Sequence, residues 1–365
     1  MYILIYVMEK FLKIDRGNIN TFLNRIMKYY QLIGPVKTDK GISFEYVSED
    51  REIDLDYIGH TILPPKKFFF PPIEEMFVYE YDEGGNLRIH DFLEETSKGK
   101  RIIFGVKPCD INSLLLLDKV FTGEYNDPYY TTRRNNTLVV GLTCKMPMEY
   151  CFCAYVNSGP SIKKGFDLLF SDLGDIYLVE VGSEKGWKLT KFNLDIFNEA
   201  EKEDVEEREK ILLTVEEGIR RKGLPNFAAI DKVLVERFVD KLWDDYGRKC
   251  LACGKCNFTC PTCRCFTISD EPNPDLKSGK RVRIWDSCHF LSFTKVASGE
   301  VFRRDRPSRF KQRIYHKFVY SINEIGSISC VGCGRCIEVC PAKINILDVV
   351  KEVIVGGKPL SAKVS

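Results

Sequence analysis

Two short stretches constrain this chain more than anything else in it. The first is Cys250-Leu251-Ala252-Cys253-Gly254-Lys255-Cys256-Asn257-Phe258-Thr259-Cys260-Pro261, and the second is Cys330-Val331-Gly332-Cys333-Gly334-Arg335-Cys336-Ile337-Glu338-Val339-Cys340-Pro341. Both follow the spacing C-x2-C-x2-C-x3-C-P. A [4Fe-4S] cubane needs four thiolates at tetrahedral corners, and a tight loop carrying three at this spacing, with a fourth on the helix that follows, supplies them. Structural zinc is usually held by paired short C-x2-C hooks, which have no use for the third cysteine or the trailing proline. The repeat therefore predicts two [4Fe-4S] clusters.

The rest of the composition agrees with a reduced metalloprotein. Fifteen cysteines in 365 residues are too sparse for a disulfide scaffold and odd in number. Their grouping calls for thiolates on metal in a reducing cytoplasm. A net charge of +2 gives no global reason to expect nucleic acid or a membrane surface as a partner. The apolar stretch Met1 to Val7 lacks a basic leader and a cleavage site and is cut short by Glu9-Lys10, so no secretory signal is expected. Nothing reaches the length of a membrane span.

Residues 1–195 read as an α/β domain with a mixed or parallel sheet. Phe22, Ile26 and Tyr29-Tyr30 recur at helical spacing, while 42–47 alternates like a strand. In Leu63-Pro64-Pro65-Lys66-Lys67-Phe68-Phe69-Phe70-Pro71-Pro72 the paired prolines exclude regular helix or central strand. Its three aromatics are expected on an extended loop, either plugging a crevice or covering a site or docking surface. Next, 101–106 reads as a buried strand ending in Lys107-Pro108-Cys109-Asp110, 111–121 as a helix, and 137–142 as a second strand ending in Thr143-Cys144. As neighbours in one βαβ unit, these strands bring Cys109 and Cys144 out at the same carboxyl edge. Cys151 and Cys153 follow in the same loop. Four thiols at one rim match the demand of a third [4Fe-4S] cluster; the alternative is small, buried, inert cysteines. Residues 166–170 and 176–181 read as further strands.

A charged, solvated helical connector is expected over 196–226, and a cluster domain over 227–365, entered by one helix spanning 227–243. About seventy residues separate the two cysteine runs, far more than in a small bacterial ferredoxin. They include Arg303, Arg304, Arg306, Arg309, Lys311, Arg313 and Lys317 interleaved with aromatics, read as a solvated basic face or a docking face for an acidic partner rather than a nucleic-acid groove. Cys263, Cys265 and Cys288 remain as spare ligands, sulfur-binding thiols or inert neighbours, and His289 as a satisfied core histidine. No G-x-G-x-x-G and no Walker loop is present, so a hydride donor has no cradle here. Cubane clusters carry single electrons, and a chain with such centres and no two-electron cofactor reads as a wire between other subunits.

The order of the Pro64-to-Phe70 loop, Phe104-Gly105-Val106-Lys107-Pro108-Cys109-Asp110, Glu149-Tyr150-Cys151-Phe152-Cys153, the first cysteine run and Trp285-Asp286-Ser287-Cys288 resembles the β subunit of cytoplasmic sulfhydrogenases. It is also similar to the A subunit of anaerobic sulfite reductase. The resemblance implies an iron–sulfur subunit passing electrons between a flavin- and NAD(P)-binding subunit and a catalytic partner, either [NiFe] hydrogenase subunits with sulfur or polysulfide reduction, or a sulfite reductase catalytic subunit. The long gap between runs resembles the α-helical ferredoxin domain of succinate dehydrogenase-type subunits, in which the fourth cysteine of each run serves the other cluster. Carried over, Cys250, Cys253 and Cys256 pair with Cys340, and Cys330, Cys333 and Cys336 with Cys260.

Overall fold

A computed structural model describes residues 11–48 and 52–356. The apolar stretch at residues 1–7 lies outside the described residues. The strands, in chain order, are β1 (Phe11–Asp15), β2 (Gln31–Thr38), β3 (Gly41–Tyr46), β4 (Ile73–Tyr81), β5 (Leu87–Asp91), β6 (Arg101–Val106), β7 (Thr137–Leu142), β8 (Leu168–Asp172), β9 (Ile176–Val181), β10 (Asn198–Glu199), β11 (Phe266–Pro272) and β12 (Ser278–Trp285). They form a large sheet in the order β10-β1-β9-β8-β7-β6-β2-β3 and a small one in the order β11-β12-β4-β5.

In the large sheet β2, β6, β7 and β8 run parallel, and antiparallel strands close both edges. Every residue of β6 and β7 is buried, as expected of strands covered on both faces. Their side chains alternate between two cores. Ile102, Phe104, Leu138 and Val140 pack with Ile14, Phe22 and Phe170, whereas Ile103, Val106 and Val139 pack with Ile111, Leu114 and Phe121. Pro108 opens the helix Pro108–Phe121 immediately after β6, where its missing N–H costs nothing. The parallel register of β6 and β7 then brings Cys109 and Cys144 to one sheet edge, as the sequence implied.

Several expectations change. Phe68, Phe69 and Phe70 leave a 3-10 turn (Pro65–Phe68) and are buried, packed with Val106, Leu117, Phe121 and Trp285, so they form core rather than an exposed cover or docking surface. The single helix expected over 227–243 is two, Ile230–Glu236 and Leu242–Lys249. At the break Trp243 Nε1 donates to the Arg237 carbonyl (2.8 Å), and the Arg237 guanidinium bonds to Asp240. The charged helix Lys202–Arg220 is more than a connector, since Arg208, Leu212, Val215 and Ile219 are buried and Arg208 pairs with buried Glu180 at 2.8 Å. The stretch between the cysteine runs is not helical throughout. It contains the β11–β12 hairpin as well as the helix Arg306–Tyr315, which continues through a π-helical turn (His316–Tyr320) into Ser321–Ile325.

That hairpin also crosses the expected division between domains. β12 pairs with β4, and buried Arg283 bonds to buried Glu74 across the pairing, Nε to Oε2 at 2.8 Å. A second buried pair joins the halves at the cysteine sites. Arg335 of the second run donates to both carboxylate oxygens of Asp110 at 2.7 Å and, through Nε, to the Thr61 carbonyl at 2.6 Å. Arg335 is fully buried and Asp110 is 1% exposed. Bidentate geometry and a third acceptor offset the desolvation of this pair, but removal of one partner leaves the other charge buried and bare. Asp110→Ala should lower stability by about 3–5 kcal/mol in anaerobic urea unfolding, and Asp110→Leu combined with Arg335→Met should recover much of that loss. A loss below about 1 kcal/mol in the single variant would show that the pair does not join the halves.

Candidate metal centre

The two cysteine runs adopt the same local shape. Gly254 and Gly334 take left-handed backbone conformations and lead into the one-turn helices Lys255–Phe258 and Arg335–Glu338, which carry the third cysteine of each run. In Cys250 the neighbouring thiols that act electrostatically are Cys340 and Cys253, whereas Cys330 feels Cys336 and Cys260, and Cys333 feels Cys260 and Cys336. Cys340 is thus a neighbour of Cys250, and Cys260 a neighbour of Cys330 and Cys333. Burial pushes the Cys256, Cys330 and Cys333 thiols up to about 12, with Arg313, Lys317 and Arg335 respectively opposing it. A coordinated iron replaces that proton, so the same burial favours occupied thiolates only where cations stand nearby.

Such cations are present. Lys66, Arg313 and Lys317 are 2%, 5% and 3% exposed, and no ion pair to a carboxylate is found for them among the described residues. Lys66 Nζ donates to the Cys263 carbonyl at 2.7 Å and lies 4.2 Å from the Trp285 ring centre. Lys317 Nζ donates to Thr262 Oγ1 and the Ser329 carbonyl, both at 3.0 Å, and Arg313 to Asn257 Oδ1 at 3.0 Å and the Cys256 carbonyl at 3.2 Å. Burial alone would lower Lys317, yet the thiolates of Cys260, Cys263 and Cys330 hold it well above its usual value. Lys66, where burial dominates, falls to about 8. Buried cations lacking carboxylates need another source of negative charge, and thiolate-ligated iron–sulfur cores carry it. The basic run of the sequence is accordingly not one solvated face: Arg309, Arg313 and Lys317 point inward.

At the edge of the large sheet, Cys109 stands in the first turn of its helix, Cys144 just beyond β7, and Cys151 and Cys153 at the end of the following loop. The four act on one another electrostatically: Cys153 feels Cys151, Cys109 and Cys144, and Cys144 feels Cys151. Val215 and Ile219 of the helix Lys202–Arg220 cover them. Two lysines flank the set. Lys107 is buried with Nζ 4.3 Å from the Tyr57 ring centre, and Lys222 Nζ reaches the Met148 carbonyl at 2.8 Å and Cys151 Sγ at 3.9 Å. Hydrogen bonding from Cys153 and the Lys222 charge bring Cys151 down to about 6, against burial. Cys109 also feels Cys333, so this set adjoins the second run. Gly332 makes the approach close: its φ is +65°, its carbonyl accepts from Phe152 N at 2.6 Å, and a Cβ there would stand 2.6 Å from Cys153 N.

The spare cysteines are ordered around the first run. Cys263 is buried and raised chiefly by its neighbour Cys260, and Cys288 is buried with Asn257 Nδ2 donating to its sulfur at 3.1 Å. A hydrogen bond from Cys265 brings Cys288 down to about 6 against burial, helped by Asn257, Arg313 and Lys317. His289 is 2% exposed, 3.9 Å through Nδ1 from Cys250 Sγ, and lowered to about 3 by burial, Arg313 and Arg309, which makes it a neutral core side chain. Lys66, Asn257, Arg313 and Lys317 are not expected from the sequence as parts of the site: Arg313 and Lys317 read as members of a basic run, and of the four only Asn257 adjoins a cysteine in sequence.

Among the described residues no three His, Cys, Asp or Glu side chains gather tightly enough for one metal ion. A four-iron core spreads its sulfur ligands over a wider cage, and these thiol sets with their buried cations fit that group. Fold and site define an iron–sulfur protein. In agreement, the 4Fe-4S dicluster domain family matches residues 249–344. The chain is 38% identical over 348 residues to subunit beta of sulfhydrogenase 2 from Pyrococcus furiosus, a match covering 94% of this chain and 98% of that protein. It belongs to the sulfhydrogenase beta-subunit family, and thus among iron–sulfur electron-transport components of oxidoreductases. No helix among the described residues is long and apolar enough to cross a membrane.

The buried cations should set redox potential. Lys317→Met removes one charge beside Cys260 and Cys330 and should lower the potential of an adjoining centre by about 60 mV, a tenfold change for a one-electron couple. Anaerobic EPR-monitored titration reads this, and an unchanged or raised potential would show that Lys317 does not compensate cluster charge.

Proposed function

We propose that this chain is the iron–sulfur wire of a multi-subunit oxidoreductase, probed by electrons one at a time and inactive alone. Two [4Fe-4S] clusters are held in the crossed sense, one by Cys250, Cys253, Cys256 and Cys340 and one by Cys330, Cys333, Cys336 and Cys260. A third is held by Cys109, Cys144, Cys151 and Cys153. When bound, such cores supply reversible one-electron transfer. The chain's own residues hold them in series, keep water out and balance their charge. The observation that carries the reading is the contact between sets: Cys109 acts on Cys333, and Asp110 next to it clamps Arg335 between Cys333 and Cys336.

Electrons pass between a flavin- and NAD(P)-binding subunit and a hydrogenase or sulfur-reducing partner. The name of the relative supports this over the sulfite reductase alternative. A cytoplasmic setting follows from the need for reduced thiols. A nucleic-acid-binding role is disfavoured because Arg309, Arg313 and Lys317 are buried, the last two hydrogen bonded beside the cysteine runs.

Full-length protein produced anaerobically should contain about twelve irons in cubane form. Cys144→Ser should reduce that to about eight, leaving the other two signals intact, and Cys260→Ser should damage the centre built on Cys330, Cys333 and Cys336. About eight irons in the wild type would remove the third site, and loss of the centre on Cys250, Cys253 and Cys256 in Cys260→Ser would establish local ligation.

With no dinucleotide cradle in the sequence, the pure chain should show no NADH or NADPH binding by calorimetry. Tight binding of either would overturn the wire reading.

A further inference from the structure

Cys265 and Cys288 are left over when the twelve proposed ligands are assigned, and the fold places them against one another. Cys265 immediately precedes β11 and Cys288 lies three residues past the end of β12. The hairpin register Phe266↔Trp285 and the hydrogen bond from Asp286 N to the Cys265 carbonyl at 2.9 Å carry the strand pairing to the pair. The two thiols also act on one another more strongly than anything else acts on either, Cys265 being raised and Cys288 lowered by its neighbour. The turn is fixed from below, with His289 N donating to Ser287 Oγ at 3.2 Å and Phe290 N to the Ser287 carbonyl at 2.9 Å. Cys288 is 6% exposed, whereas Cys265 is half-buried and reachable from solvent.

The pair is also wired to the first cysteine run. Asn257 Nδ2 donates to Cys288 Sγ at 3.1 Å, while its Oδ1 accepts from Arg313 at 3.0 Å and stands 3.6 Å from Cys256 Sγ. One amide thus spans a proposed cluster ligand and a thiol of the pair. Arg313 and Lys317 face Cys288 from the helix packed beneath it, and no carboxylate among the described residues is hydrogen bonded to either thiol.

We propose that Cys265 and Cys288 form a redox-active dithiol, a two-electron store beside a chain of one-electron centres. Closing forms the Sγ–Sγ bond, passes two electrons in successive single steps to the adjoining oxidised iron–sulfur centre and releases two protons. Opening breaks that bond, takes two electrons in successive single steps from the adjoining reduced iron–sulfur centre, and returns one proton to each sulfur. Arg313 and Lys317 favour the thiolate that exists after the bond has broken and before the second proton arrives. The inference rests on the cluster reading above for its electron source, but not for the disulfide itself.

The test uses the full chain purified anaerobically and equilibrated in buffers of oxidised and reduced glutathione. Free thiols are then trapped by alkylation, and peptides are read by mass spectrometry alongside iron content. The expected result is a Cys265–Cys288 cross-linked peptide that appears and disappears reversibly with glutathione ratio. A reductive titration should take up two electrons more than the iron centres account for, and Cys265→Ser and Cys288→Ser should each abolish that excess without loss of iron. Iron loss in either variant would make these residues ligands and overturn the proposal, as would absence of the cross-link in iron-replete wild-type protein at every ratio. Wild-type protein without iron that still forms the cross-link would support the dithiol and reject the cluster reading instead.

Discussion

The pairing of Asp110 with Arg335 is the constraint on which the arrangement of sulfur sites depends. It is bidentate, fully buried, and flanked on both sides by cysteines: Cys109 precedes Asp110, while Cys333 and Cys336 bracket Arg335. An ion pair in such a place is an indifferent source of stability compared with apolar packing. What it supplies is register. The guanidinium fork accepts one orientation of the carboxylate, so the first turn of the Pro108–Phe121 helix and the second cysteine loop cannot slide past one another. Gly332 and Gly334 complete the fit, since a Cβ on the first would strike Cys153 and on the second would stand 2.6 Å from the Tyr150 carbonyl carbon.

A second constraint is charge. Lys66, Lys107, Arg313 and Lys317 are all buried around thiols, and among the described residues each is held by carbonyls, hydroxyls or an amide rather than by a carboxylate ion pair. Neutral acceptors satisfy the N–H groups without neutralising them. That leaves net positive charge inside the protein, which is costly unless anionic thiolates or the cores they bind share the space. The cations are thus a structural trace of what the site accommodates. They are also a device for tuning it, because hydrogen bonding and net charge near the sulfurs govern cluster potential.

Much of this was legible in sequence where periodicity or spacing carries the information. Strands 101–106 and 137–142, the helix between them and the shared edge for Cys109 and Cys144 follow from continuous apolar runs and the rules of parallel crossovers. The small sheet was not legible. β5 is exposed along its length and β11 nearly so, and the alternations Leu87-Arg88-Ile89-His90 and Phe266-Thr267-Ile268-Ser269 are too short to mark strands when neither covers an apolar core. The basic run misled for a related reason: Arg313 and Lys317 look like surface residues unless their targets, brought in from residues 256–262 and 329, are known. For the aromatic triplet the two proline pairs left a crevice plug and a cover both open, and the full burial of Phe69 and Phe70 selects the plug.

The long interval between the cysteine runs has a physical explanation in these contacts. A compact ferredoxin needs only enough chain to return from one loop to the other. Here the interval performs two further tasks. The β11–β12 hairpin pairs with β4 and carries Trp285 to the Phe70 carbonyl, to which Nε1 donates at 3.1 Å, anchoring the first cysteine loop to the N-terminal half. The helix that follows then passes beneath both loops and delivers Arg313 to Asn257 and Lys317 to Thr262 and Ser329. The π-helical turn at His316–Tyr320 belongs to this task. A one-residue widening shifts the side chains that follow around the helix, and such turns recur at functional sites. The hairpin fixes the position of the cysteine loops and the helix fixes their charge, so neither could be shortened to ferredoxin length without losing one or the other.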